Sequence, residues 1–255
     1  MVHFVGAGCG APDLITVRGA KLLEEADVIV YAGSLVNPEL LSYNTRGALI
    51  YNSATMTLDE VVDVFKEAAK CGKDVVRLHT GEPSLYGAIR EQMDELDALG
   101  IEYDITPGVT AAFGAAASFG IEYTLPDISQ TLILTRAEGK TLVPELEKIS
   151  ALAAHQASMA IYLSASLAKK VQAALLEGGY KEETPVAIGY KVTWEDEKLY
   201  TATVGTLAST MEDNYITKTA IILVGEAVRP SEYGKSRLYA PDFSTEFRKA
   251  KVDED

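Results

Sequence analysis

Along the first hundred residues, short apolar and β-branched runs recur at 2–5, 27–31, 49–52, 74–78 and 101–106. Each has the length of a strand. Helix-like segments lie between them, and the clearest is 58–71. There Leu58, Val61, Val62, Phe65, Ala68 and Ala69 share one face at helical spacing. The segment opens on Thr57-Leu-Asp-Glu60, a capping-box pattern, and stops at Gly72, a favourable residue just past a helix end. Residues 89–99 stop in the same way, at Gly100. Strands alternating with helices predict a parallel sheet covered on its faces. The pattern breaks across 118–127, at Gly120 and Pro126. A second series follows, with strands at 131–136, 159–163 and 186–192 and helices at 144–154 and 165–177. Strands at 199–204 and 220–225 come after it, joined by a short helix at 207–213. The close succession around 193–198 predicts a hairpin, so the second sheet should be mixed. The expectation is an α/β protein of two α/β domains, 1–118 with a mostly parallel sheet and 119–230 with a mixed one. Residues 231–255 lose periodicity and form a polar and aromatic C-terminal extension.

Composition narrows the function classes. The chain has 255 residues, 47% hydrophobic and 24% charged, the balance of a soluble globular enzyme. No apolar run reaches the roughly 18 residues of a membrane span, and the start lacks a basic segment followed by an apolar one. Cys9 and Cys71 cannot build a disulfide framework, and the three histidines show no metal-ligand spacing. A reducing, cytoplasmic setting is expected. Net charge is −14, a surface that repels phosphate backbones, so neither nucleic acid nor membrane is expected as a partner. The two unbalanced tracts, 195–198 and the acidic end 252–255, read as solvated.

The first strand runs into "VGAGCGAPD" (5–13). A dinucleotide turn needs G-x-G-x-x-G and an acid about 20 residues on. Here the spacing is G-x-G-x-G at Gly6, Gly8 and Gly10, and the second strand ends "YAGS" without a carboxylate. A P-loop is excluded too, since no Gly-Lys-Ser/Thr follows. What remains is a glycine-rich strand end, either a ligand's approach or a bare tight connection. Two more loops follow strands in the same half: "HTGEPSLYG" (79–87) and "PGVTA" (107–111). In an open parallel sheet all three occupy the carboxyl edge, where ligands bind. The alanine-rich 111–117 allows close backbone approach or tight helix packing.

Taken together, the three motifs resemble the tetrapyrrole (uroporphyrinogen and precorrin) methyltransferase family. Its pattern is V-G-x-G-P-G-x-x-x-L-x-T-x-x-G, then G-D-P-x-x-Y/F-G, then P-G-V/I-T-S/A. This chain has "VGAGCGAPDLITVRG" (5–19), "GEPSLYG" (81–87) and "PGVTA" (107–111). The resemblance covers about residues 2–228. "YAGSLVNPELL" (31–41), "TLPDISQTLILTRAEG" (124–139), "YKVTWEDEK" (190–198) and "SRLYAPDFSTEFRK" (236–249) are similar to the precorrin-4 branch of that family, which acts in cobalamin biosynthesis. The resemblance implies the tetrapyrrole methylase fold with a cleft between its domains, and a homodimer. It also implies S-adenosylmethionine as methyl donor, no protein-bound metal, and C-11 of a tetrapyrrole as acceptor. Another ring position, a non-tetrapyrrole acceptor, or donor binding without turnover stay open.

Carried over residue by residue, the resemblance implies donor contacts at Cys9, Thr80, Gly81, Glu82, Leu85, Tyr86, Thr110, Ala111, Leu163, Val192 and Ala220. It places the substrate near Gly10, Pro12, Arg136 and Glu138. His79 and Glu82 are candidates for a proton acceptor, and Arg77, Arg90 and Lys140 are further cations that could meet substrate carboxylates. Each has a plainer alternative: Cys9 as a small packed residue, His79 as a structural hydrogen-bonding group, Leu163 as core, the cations as surface pairs. The chain departs from the pattern at Cys9, where the family has proline, at Glu82 for aspartate, at Ala11, and at Ala32-Gly33, where members often carry aspartate.

Overall fold

The computed structural model describes residues 1–250; the acidic end 252–255 lies outside the described residues. The first half supplies β1 (Val2–Gly6), α1 (Val17–Glu25), β2 (Val28–Tyr31), β3 (Leu49–Asn52), α2 (Leu58–Lys70), β4 (Val75–His79), α3 (Ile89–Leu99), β5 (Tyr103–Thr106) and α4 (Ala111–Phe119). The five strands form a sheet in the order β3-β2-β4-β1-β5, parallel throughout. Val2, Phe4, Val28, Val30 and Val75 face α2 and α3, packing on Phe65, Met93 and Leu96. Val5, Ile29, Val76 and Leu78 face the other way, onto Leu23 of α1 and Leu40. Residues of β1, β2 and β4 thus alternate between two apolar layers, as strands buried on both faces must. The Thr57 capping box is present, with Glu60 reaching back to the Thr57 N–H at 2.7 Å.

The second half supplies β6 (Leu132–Arg136), α5 (Ile149–Ala153), β7 (Ser158–Tyr162), α6 (Ala168–Glu177), β8 (Pro185–Tyr190), β9 (Lys198–Thr203), α7 (Leu207–Asp213) and β10 (Ala220–Val224). The sheet order is β6-β7-β10-β8-β9. β6 and β7 run parallel and β7 and β10 antiparallel, so the sheet is mixed. β8 and β9 are neighbours joined by residues 191–197 alone, in keeping with a hairpin. The helix expected over 144–154 is shorter. Lys148 is extended (ψ 145°), so a 3-10 turn at Glu145–Glu147 precedes a helix starting at Ile149. By contacts the chain forms two compact units. One is Met1–Phe119 with Gly189–Leu199 and Thr219–Ile221; the other holds Gly120–Ile188, Tyr200–Lys218 and the chain from Ile222 on. Among the described residues no helix is long and apolar enough to cross a membrane.

Candidate functional site

Three loops leave the adjacent strands β4, β1 and β5 at their carboxyl ends, and they touch through backbone. The Ala7 N–H donates to the His79 carbonyl at 2.7 Å, and the Gly81 N–H to the Gly8 carbonyl at 2.9 Å. A Cβ on Gly6 would sit 2.6 Å from both Gly108 Cα and the Gly81 carbonyl oxygen, and one on Gly108 would overlap that same oxygen. No side chain fits at either position. Glycine here is required by backbone-to-backbone approach, and the spacing in 5–13 and 107–111 answers to that.

Glu82 closes the group. Its carboxylate accepts from the Gly108 N–H at 2.8 Å and from the Ser84 N–H at 2.9 Å. Burial on its own raises the acid's pKa, but these two backbone donors outweigh it and hold Glu82 below the usual carboxylate range. The extra methylene relative to aspartate is used: the side chain spans from the second loop to the third. With one oxygen on each amide and its proton affinity lowered, Glu82 is a brace and a poor base. His79 is also poorly suited to take a proton. Burial, with the Arg77 charge adding, lowers its pKa to about 3, and its ring packs 5.9 Å from Phe4. Arg77 lies in the core. Its Nε donates to Gln92 at 3.0 Å and Nη1 to the Val30 carbonyl at 3.2 Å, and burial lowers its pKa to about 10. It is unavailable to a substrate because β4 points it at α3. Arg90 is exposed and pairs with Asp94 and Asp97.

Cys9 is buried. Its Sγ lies 3.5 Å from Thr193 Oγ1, and a Cβ on Gly114 would overlap it. Burial pushes the thiol up, so it stays protonated and unreactive near neutrality. Gly10 is buried, Pro12 and Ala111 half-buried, Thr110 buried at the start of α4, Val192 buried, and Ala220 opens β10 half-buried. Tyr86 is exposed at φ 57° and Leu85 follows Glu82 in a tight turn. Positive φ at non-glycine residues occurs at Tyr86, Ala88, Lys191, Thr193 and Thr219 in the first unit and at Asp127, Gln156, Leu163 and Tyr215 in the second. Such strain concentrates where loops are held for a purpose.

In the second unit, β6 and β7 bring two further loops side by side, with Arg136 opposite Tyr162. Ser164, fully buried, links them: its Oγ accepts from the Ala137 N–H at 2.8 Å and donates to the Tyr162 carbonyl at 2.6 Å. Leu163 sits there at φ 52°, 66% exposed, an apolar side chain held out to solvent by a strained backbone. Arg136 turns onto its own loop, donating to the carbonyls of Ala137, Thr141 and Leu142. Glu138 accepts from the Val143 N–H. Sequence reasoning missed Ser164, Thr193 and Asn37, whose Nδ2 donates to the Gly10 carbonyl at 3.0 Å. Small polar residues near strand ends carry no pattern that marks them.

Among the described residues no group of three or more His, Cys, Asp or Glu could hold a metal ion. Thr80 Oγ1 and Thr106 Oγ1, at the ends of β4 and β5, are buried without a hydrogen-bond partner.

The family model for Tetrapyrrole (Corrin/Porphyrin) Methylases matches residues 1–208. The chain belongs to this family. Among curated relatives, the Cobalt-precorrin-4 C(11)-methyltransferase of Methanocaldococcus jannaschii is 54% identical over 98% of this chain and 96% of its own. That of Priestia megaterium is 48% identical over 97% of both. The Precorrin-4 C(11)-methyltransferase of Mycobacterium tuberculosis is 43% identical over 94% and 96%. A solved cobalt precorrin-4 methyltransferase, described as a cobalamin biosynthetic enzyme, superposes with a TM-score of 0.88 at 48% identity, covering 90% of this chain and 96% of that one. The Thermus thermophilus uroporphyrin-III C-methyl transferase complexed with S-adenyl homocysteine shares the tetrapyrrole methylase fold at TM-score 0.74 and 23% identity, over 89% and 93%.

Proposed function

We infer that this chain transfers a methyl group from S-adenosylmethionine to C-11 of precorrin-4 or its cobalt complex, a step of cobalamin biosynthesis. The observation that carries the reading is identity of 54% and 48%, over nearly the whole of both chains, with enzymes named for that reaction.

The donor, when bound, supplies an activated methyl on a sulfonium, so the protein's task is alignment and exclusion of water. The residues present suit such a donor. Gly6 and Gly108 let the three loops close on one another at the strand ends, and Thr80 Oγ1 and Thr106 Oγ1 are polar atoms in want of partners. We assign Thr80, Gly81, Leu85, Tyr86, Thr110, Ala111, Val192 and Ala220 to the donor, with Leu163 as an apolar wall. Glu82 serves by bracing Gly108. Gly10 and Pro12 are assigned to the tetrapyrrole. Arg136 and Glu138, which also hold the loop after β6 together, are assigned to the tetrapyrrole as well. The same reading carries two domains, 1–118 and 119–230, with the extension 231–255, and a cytoplasmic homodimer. The exposed free thiol of Cys71 suits a reducing compartment.

The test is incubation with S-adenosylmethionine and cobalt-precorrin-4, followed by mass spectrometry. A product heavier by one methyl, with the label on C-11 when the donor methyl carries carbon-13, is expected. A label on another ring carbon reassigns the position, and an unlabelled tetrapyrrole overturns the reading.

A further inference from the structure

Within the first unit the β8–β9 connection reaches back to the first glycine loop. The Trp194 indole N–H donates to the Cys9 carbonyl at 3.1 Å. The Ala11 N–H donates to Thr193 Oγ1 at 3.0 Å, and the same oxygen lies 3.5 Å from Cys9 Sγ. Residues 9–11 are thus gripped at a carbonyl, an amide and a side chain by two consecutive residues. Gly10 is what lets them close: a Cβ there would overlap Trp194 Cδ1 and lie 2.7 Å from Thr193 Oγ1. The grip is itself anchored. Glu197 accepts from the Thr193 N–H at 2.6 Å and from Ser118 Oγ at the end of α4 at 2.7 Å.

Thr193 holds a left-handed conformation, φ 67°, which costs a β-branched residue on the order of 1–2 kcal/mol. Asparagine or glycine would adopt it more cheaply, but neither offers a hydroxyl oxygen on a stem this short. A position that carries strain while its side chain makes the contact suggests that the contact is what is needed.

We propose that Thr193 and Trp194 are positioning residues for methyl transfer, fixing the first glycine loop so that Gly10 and Pro12 present the acceptor at the correct angle. The inference rests on the reading above, in which these loop residues meet the tetrapyrrole. An in-line displacement tolerates little angular error, so loosening this loop slows reaction more than it weakens donor binding. Cys9, unlike proline, does not stiffen the turn from within, and the clasp supplies that stiffness from outside.

The experiment compares T193V, T193S and W194F with the parent protein. It measures steady-state methyl transfer to cobalt-precorrin-4 and, separately, S-adenosylhomocysteine affinity by calorimetry. T193V preserves shape and removes the oxygen; T193S preserves the oxygen. The expected result is a roughly 10-fold or greater fall in kcat/KM for the acceptor in T193V and W194F, with S-adenosylhomocysteine affinity within about twofold and T193S recovering most of the rate. Combining T193V with G10A should lose less than the product of the two single losses, because both open the same contact. Equal losses in T193S and T193V, unchanged rates in T193V and W194F, or donor affinity falling in step with rate would each overturn the proposal. Absence of methyl transfer by the parent protein would instead strike the functional reading, while leaving its S-adenosylhomocysteine affinity measurable.

Discussion

The loops at the carboxyl edge of the first sheet and those after β6 and β7 are organised by opposite means. In the first unit, glycines let main chain press on main chain, and one carboxylate ties two loops together. In the second, a guanidinium gathers three carbonyls of its own loop, and a buried serine joins it to its neighbour. Close-packed backbone has no room to give, whereas a loop collected by a long side chain can shift when that side chain is lost. Substitutions in the first region should therefore cost more than substitutions in the second.

The sharpest way to break the contrast is Gly108→Ala. The added methyl meets backbone that cannot rotate away, so destabilisation of roughly 3 kcal/mol, the upper part of the overpacking range, is expected. Thermal melting should show a fall of about 6–12 °C for a chain of this size, with methyl transfer lost. A change of under about 2 °C would refute the rigid-contact account.

Glu82→Gln comes next. The amide keeps the shape but turns an NH2 toward one of the two backbone donors and removes the charge. The loss should be about 2 kcal/mol, within the range for hydrogen bonds to charged groups. The depressed pKa gives a sign as well. An unperturbed glutamate titrates near 4.5, and the folded protein holds Glu82 lower, so its contribution is full above that value and is lost as pH falls through the folded pKa. Acid melting curves of the parent and E82Q should converge there.

His79→Leu tests the layer beneath the loops. The unfolded chain binds a proton as pH drops through about 6.5, while the folded protein declines it until about 3. Stability is therefore full above the upper value and declines steadily across that window on acidification. The leucine variant should show a flatter pH dependence between those limits, and an unchanged slope would place the titration elsewhere.

Arg136→Ala is the mildest. Three carbonyls of a half-exposed loop can turn to water, so about 1 kcal/mol, or roughly 2–4 °C in melting, is expected, read by calorimetry. A loss as large as that of Gly108→Ala would erase the distinction between the two regions.

The strands and most helices are legible in the sequence because both sheets bury apolar runs of definite length and period. The alternation at 58–71 and its capping box survive intact as α2. The division of α5 does not show in the pattern, since it turns on the extended backbone of Lys148, a residue with no strong preference of its own. The glycine loops are legible as positions needing close approach. What they approach is not, because Gly6, Gly81 and Gly108 are separated by many residues and meet only when β4, β1 and β5 line up.

The same limit governs the charged candidates. The sequence alone fixed which residue types stand at strand ends: a glycine run, an acid at 82, a histidine at 79, an arginine at 136. Local composition and period determine that much, because they act over a few residues. Whether a charge faces solvent, a neighbour's amide or the core was decided only by tertiary structure. Arg77 went inward because strand alternation sent it toward Gln92, Arg136 folded onto its own carbonyls, and Cys9 found its stiffness in Thr193 and Trp194, some 184 residues along the chain. Desolvation and hydrogen bonding depend on what arrives from afar, and that information exists only in the folded chain.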